Sequence, residues 1–202
     1  MPGTRPVLPG LLLLVGLVVA TGGCGSGGGS GEDGGVVGDP ITASFTPSGT
    51  AASPDLVRLT GSASSDLVTL QVVISGQTES DDLYAFAFDL VLSNADVAGY
   101  VAGSADFGTA LTLEPGQDGA AFASQTGNRV TVGVSKLGDV AGNGVGPGEE
   151  TIVTLLFRVT AKGITTIAID RIPPADPSAI ESDESPAPGV RFDGASALIR
   201  GS

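Results

Sequence analysis

The 202-residue chain carries 9 Lys plus Arg against 22 Asp plus Glu, a formal charge of −13; so acidic a surface repels phosphate backbones and excludes nucleic acid as a partner. It has no His and no Trp, which removes the Ser-His-Asp triad, the usual general base and the commonest metal ligand. A hydrolase built on two carboxylates about 5 to 9.5 Å apart stays formally open, but no spacing here specifies such a pair, and the chain reads as a non-enzyme.

Residues 1–23 have the form of an export signal, with Arg5 as the early charge and an apolar run from Leu11 to Ala20 that is too short to span a bilayer. The run ends in Thr21-Gly22-Gly23-Cys24, which resembles the lipobox at which bacterial lipoproteins are cleaved before a cysteine that is then acylated. Gly22 and Gly23 meet its small-residue requirement, while Thr21 stands where Leu is usual. The resemblance implies a lipid on Cys24 and a chain held at the cell envelope, on an outer membrane or the cell surface; without the lipid the chain would be secreted. Residues 24–40 are Gly/Ser-rich with nothing to bury, a flexible tether.

From Ile41 onward short apolar runs alternate with Gly, Pro, Ser and Asp, and no segment keeps a helical period. This predicts one all-β domain over residues 41–200, a nine-stranded jelly-roll sandwich. About 160 residues bury enough surface, roughly 68 to 70 %, to be stable without disulfide or metal. The strands are expected at Ile41–Phe45, Leu67–Ser75, Leu83–Leu92, Val97–Gly103, Ala120–Ser124, Arg129–Ser135, Thr151–Thr160, Ile164–Asp170 and Arg191–Ile199.

The segment Leu83–Leu92 is expected to be central, because its bulk falls at every second position. Tyr84, Phe86, Phe88, Leu90 and Leu92 would face a core, and Leu83, Ala85, Ala87 and Asp89 would face away with little bulk. Matching inward sets are Leu70, Val72 and Ile74; Val130, Val132 and Val134; and Val153, Leu155, Phe157 and Val159.

Two acidic loops are candidate chemical sites. In Asp139–Glu150, the residues Asp139, Asn143, Gly144 and Glu150 fall at positions 1, 5, 6 and 12 of a calcium-binding EF-hand loop. Ala141 at position 3 has no side-chain oxygen, so Asp139, Asn143 and Glu150 are weak metal candidates and no cofactor is expected beyond calcium. The stretch 172–189 holds Asp176, Glu181, Asp183 and Glu184 among five prolines, which are expected to keep it out of the sheet as a long loop. No Walker A lysine pattern and no G-x-G-x-x-G nucleotide fingerprint is present.

Three pieces of sequence together resemble the cohesin domain. They are Leu83 to Val97; Gly127-Asn128-Arg129-Val130-Thr131-Val132-Gly133-Val134-Ser135 with Thr151 to Gly163 downstream; and Phe192-Asp193-Gly194-Ala195-Ser196 near the end. Cohesins are the sandwich modules that bind calcium-loaded dockerin domains in cellulosome scaffolds. The resemblance implies a non-catalytic module that docks a dockerin-like protein, or a cell-surface component, on one sheet face, through outward positions that here would be Ala85, Ala87, Asp89, Thr131, Gly133 and Ser135. Related sandwiches bind polysaccharides, so a carbohydrate-binding module linked to polysaccharide catabolism is the alternative expectation, against which the lack of Trp counts.

Overall fold

The computed structural model describes residues 39–49, 51–76, 79–171, 176–193 and 195–202. The expected export signal, Cys24 and nearly all of the tether lie outside them. The described residues form twelve strands and no helix: β1 (Ala43–Ser48), β2 (Leu56–Ser64), β3 (Leu67–Ser75), β4 (Leu83–Leu92), β5 (Ala98–Tyr100), β6 (Asp106–Phe107), β7 (Asp118–Thr126), β8 (Arg129–Leu137), β9 (Glu149–Val159), β10 (Gly163–Ile169), β11 (Ser178–Glu181) and β12 (Ser196–Gly201). One sheet runs β1-β12-β10-β4-β8-β7, with β11 beside β4; the other runs β2-β3-β9-β5, with β6 beside β9. Every ladder is antiparallel.

Nine of the twelve strands are those expected from the sequence, so the all-β sandwich stands and the strand count is corrected upward. The additional strands are β2, β6 and β11. The last has the clearest cause: Pro177 precedes Ser178-Ala179-Ile180-Glu181 and Pro186 follows it, so the prolines bound the segment rather than interrupt it. Similarly, Pro47 fits inside β1 because that strand is an edge and owes the sheet hydrogen bonds on one side only. The last strand starts later than expected, at Ser196; Arg191 makes only an isolated bridge to Leu56.

Phe86, Phe88, Leu90 and Leu92 of β4 are buried, as are Val130, Val132 and Val134 of β8. Opposite them lie Leu70, Val72 and Ile74 of β3 and Val153, Leu155, Phe157 and Val159 of β9, all buried in the same core cluster. A bulge in the β3–β9 ladder, where Val72 pairs Val153 but Val73 pairs Thr151, lets Val73 and Ile152 be buried as well. Tyr84 departs from the expected core set: it is half-buried at the rim, its hydroxyl donating to the Gly138 carbonyl at 2.7 Å.

Phe88 is 4 % exposed and its ring lies 6.4 Å from that of Phe192. Truncation there removes a large apolar group from a packed site, and Phe88→Ala is expected to cost about 3 to 5 kcal/mol. At ordinary urea sensitivities this lowers the urea midpoint by about 1 M or more, whereas an unchanged midpoint contradicts the placement of β4 at the centre of the core.

Candidate functional site

Antiparallel register sets which side chains share the outer face of the larger sheet. β4 pairs β8 with Ala85 opposite Ser135, Ala87 opposite Gly133 and Asp89 opposite Thr131. β8 in turn pairs β7 with Ser135 opposite Ala120, Gly133 opposite Phe122 and Thr131 opposite Ser124. On the other side of β4, Ile180 and Ser178 of β11 stand opposite Ala85 and Ala87. The rows are therefore Ile180-Ala85-Ser135-Ala120, Ser178-Ala87-Gly133-Phe122 and Asp89-Thr131-Ser124. All six residues expected on this face come together on it.

The face is low and bare across its middle. Ala87 and Thr131 are exposed, Ala85, Gly133 and Ser135 half-buried, and no atom lies within 4 Å of where a side chain on Gly133 would start. Beside Gly133 stands Phe122, 61 % exposed. An aromatic ring held open to water on a sheet of Ala, Gly, Ser and Thr is the one bulky apolar group in these rows apart from Ile180. A hollow of about 160 Å³ lies over β4 and β8 on the side away from β7, lined by Ala87, Asp89, Thr131 and Asp176 among others.

Asp89 is not a free carboxylate on this face. Arg129 reaches it with Nη1 at 2.7 Å and reaches Asp170 with Nη2 at 2.6 Å. Hydrogen bonds to Asp89 first, and then to Asp170, push the Arg129 guanidinium further into its charged range. Arg129 thus offsets one of the two carboxylate charges at this edge, and the rest of what a partner meets is the small-residue centre with Phe122.

Phe122 is the residue that sequence reasoning missed. In Gly119-Ala120-Ala121-Phe122-Ala123 a lone aromatic carries no period that says which way it points. Only the pairing with β8 shows that it shares the outward parity of Gly133. Ser178 and Ile180 were missed with their strand.

The EF-hand register does not translate into a ligand set. Asn143 spends its side-chain amide inside the fold: Nδ2 donates to the carbonyls of Ala110 at 2.9 Å and Gly144 at 3.0 Å, and Oδ1 accepts the Thr112 N–H at 3.0 Å. Glu150 sits in β9 with Oε1 accepting the Gly146 N–H at 3.2 Å. Asp139 is exposed in the turn after β8. Among the described residues no group of three or more Asp, Glu or Cys side chains is placed to hold a metal ion.

This loop instead closes one end of the sheet. Leu83 and Asn143 exchange backbone hydrogen bonds at 2.9 and 3.0 Å, and Leu83, expected to be outward and open, is fully buried there. Asp82 ties the closure down: its carboxylate accepts the Gly142 N–H at 2.6 Å, the Ser182 N–H at 3.1 Å and the Ser182 hydroxyl at 2.5 Å. Lys136, 3 % exposed at the inward end of β8, donates to the Ala141 carbonyl at 3.0 Å. Burial lowers its pKa against the opposing pull of Asp82 and Glu114.

No family model matches the chain, and no curated protein matches it. Among solved structures, a cohesin module attached to a family 33 glycoside hydrolase of Clostridium perfringens is similar at TM-score 0.47 and 10 % identity, over 79 % of this chain and 96 % of that one. A type II cohesin module of the adaptor scaffoldin of Acetivibrio cellulolyticus is similar at TM-score 0.45 and 9 % identity, over 72 % and 82 %. A non-cellulosomal cohesin of the archaeon Archaeoglobus fulgidus gives TM-score 0.41 and 15 % identity, over 71 % and 83 %. At such scores and identities these likenesses fix neither a family nor a partner.

The Asp82 contacts give a signed pH dependence. The Ser182 hydroxyl first, and then the Gly142 N–H, hold its carboxyl below the usual carboxylate range. Its contribution to stability is therefore complete above the unfolded value of about 4 and is lost as pH falls through the depressed folded value. Asp82→Asn keeps no such term, so the gap in thermal midpoint between wild type and variant should be constant from pH 7 to about pH 4 and close below it. A gap that does not narrow in acid contradicts the assignment.

Proposed function

We propose that the chain is a non-catalytic binding module that docks a protein partner on the outer face of its seven-stranded sheet. The observation that carries this reading is Phe122, exposed beside Gly133 on a face otherwise built from small side chains. Such a face is flat enough to accept a partner surface closely, and aromatic side chains, Phe among them, are enriched at the cores of interfaces. The cohesin resemblance of the sequence makes a dockerin-like domain the expected partner, with any calcium requirement lying in that partner. The lipobox resemblance makes the module an exported one, held at the cell envelope through a lipid on Cys24.

Capture by the full chain from an extract of its own source, with calcium and with a chelator, should retain a protein bearing dockerin-like repeats in calcium only. Gly133→Arg places bulk on the face where the fold leaves open space, so it should abolish capture with the thermal midpoint unchanged. Phe122→Ala should weaken binding about 30-fold or more, the size of a hot-spot loss of about 2 kcal/mol. Full retention by both folded variants would contradict docking on this face. For the anchor, wild-type chain should partition with membranes and Cys24→Ser should not; equal partition would remove the lipid from the account.

A further inference from the structure

A second site lies on the other sheet, where residues 52–54 lead into β2, β3 ends and β9 begins. A cleft of about 400 Å³ is lined there by Ala52, Ser53, Pro54, Arg58, Ser75, Gly76, Gly148 and Glu149, a volume within the range of small-molecule sites, roughly 300 to 1,000 Å³. Its wall is built by close backbone approach. The Gly76 N–H donates to the Gly148 carbonyl at 2.6 Å, and a side chain on Gly76 would start 2.5 Å from the Pro54 Cα.

Within this mostly aliphatic cleft one polar cluster is built. Ser75 is 3 % exposed; its hydroxyl accepts from Arg58 Nε at 3.3 Å and donates to Glu149 Oε1 at 3.2 Å, and Arg58 and Glu149 also form an ion pair through Nη2 and Oε1. Among the bonds of the described residues, Arg58 Nη1 and Glu149 Oε2 take no part. The cleft therefore offers a donor and an acceptor on neighbouring groups whose charges cancel.

That combination selects the ligand class. An anion at Arg58 Nη1 would sit beside the Glu149 carboxylate, and a cation at Glu149 Oε2 beside the Arg58 guanidinium, so each would meet a like charge as well as its opposite. A neutral hydroxyl suits both groups, because it accepts and donates at once, and the C–H face of a sugar ring suits Ala52 and Pro54. We propose that this cleft binds a neutral saccharide unit, independently of the docking face, so that one chain holds a protein on one sheet and a glycan on the other.

The test is an amide-resolved NMR titration of the full chain with cellotetraose, xylotetraose and mannotetraose, against trigalacturonate, inorganic phosphate and tetraalanine. At least one neutral oligosaccharide should shift the amides of Gly76, Gly148 and Glu149 and leave Phe122 and Gly133 in place. Arg58→Met and Glu149→Gln should each weaken that binding at least tenfold. Because those changes touch the polar cluster, Ala52→Tyr serves as the second variant: it fills the exposed mouth, should keep the thermal midpoint, and should also weaken binding at least tenfold. The proposal is overturned by silence of all three neutral sugars at millimolar concentration, by phosphate, trigalacturonate or tetraalanine binding in their place, or by full affinity in a folded Ala52→Tyr.

Discussion

The ladder between β4 and β8 sorts side chains by size. Phe86 faces Val134 and Phe88 faces Val132 on one side of the sheet, while Ala87 faces Gly133 and Asp89 faces Thr131 on the other. Because the side-chain period of a strand is two, a slip of one residue would turn every Phe to water and every Ala to the core. Burial of a single Phe is worth roughly 1.5 to 3 kcal/mol, so the register is held by the core and the outer face inherits its composition. The bareness of that face is a consequence of the same alternation that stabilises the domain. Closure of the sheet end follows from it too, since Leu83 continues the outward series yet is buried where its backbone pairs with Asn143.

Electrostatics divides the surface in a second way. The chain is strongly acidic, yet its described cations are placed mainly against carboxylates or carbonyls: Arg129 with Asp89 and Asp170, Arg58 with Glu149, Arg158 with Asp66, Arg171 with Asp193, and Lys136 against Ala141. Exposed pairs of this kind add little stability. Their effect is local: the Arg58–Glu149 pair neutralises the cleft at the end of β3, while Arg129 offsets one of the two carboxylates, Asp89 and Asp170, at the edge of the sheet face. A partner that meets either must supply shape and hydrogen bonds, while the surrounding field favours a basic approach.

Much of the fold was legible because strands with one buried face announce themselves by alternation. β3 matches its expected bounds, as does β4, and the inward Val and Leu sets of β8 and β9 hold residue for residue. β2 was not legible, since Leu56, Val57 and Leu59 break a strict period of two and Gly61 and Ser62 read as loop; it is a strand because β3 pairs with it along its whole length. β11 was hidden by its prolines. For the site, β4 and β8 gave six residues that do share a face. The ion pair of Asp89 could not be read, because Arg129 bridges it to Asp170 only through the fold, and the outward turn of Phe122 could not be read without its register. The EF-hand register in Asp139–Glu150 was a coincidence of spacing, whose Asn143 the fold uses to hold backbone.

The account rests on the outer face being open to solvent in the whole chain. Paramagnetic relaxation by a soluble gadolinium complex, read on side-chain methyl and aromatic resonances of the full chain, measures this. Ala87, Thr131 and Phe122 should relax strongly while Val130, Val132 and Val134, one residue away along β8 but on the inner side, stay protected. If Ala87 and Thr131 proved as protected as Val132, another part of the chain would cover the face, and a docking role for it would be contradicted.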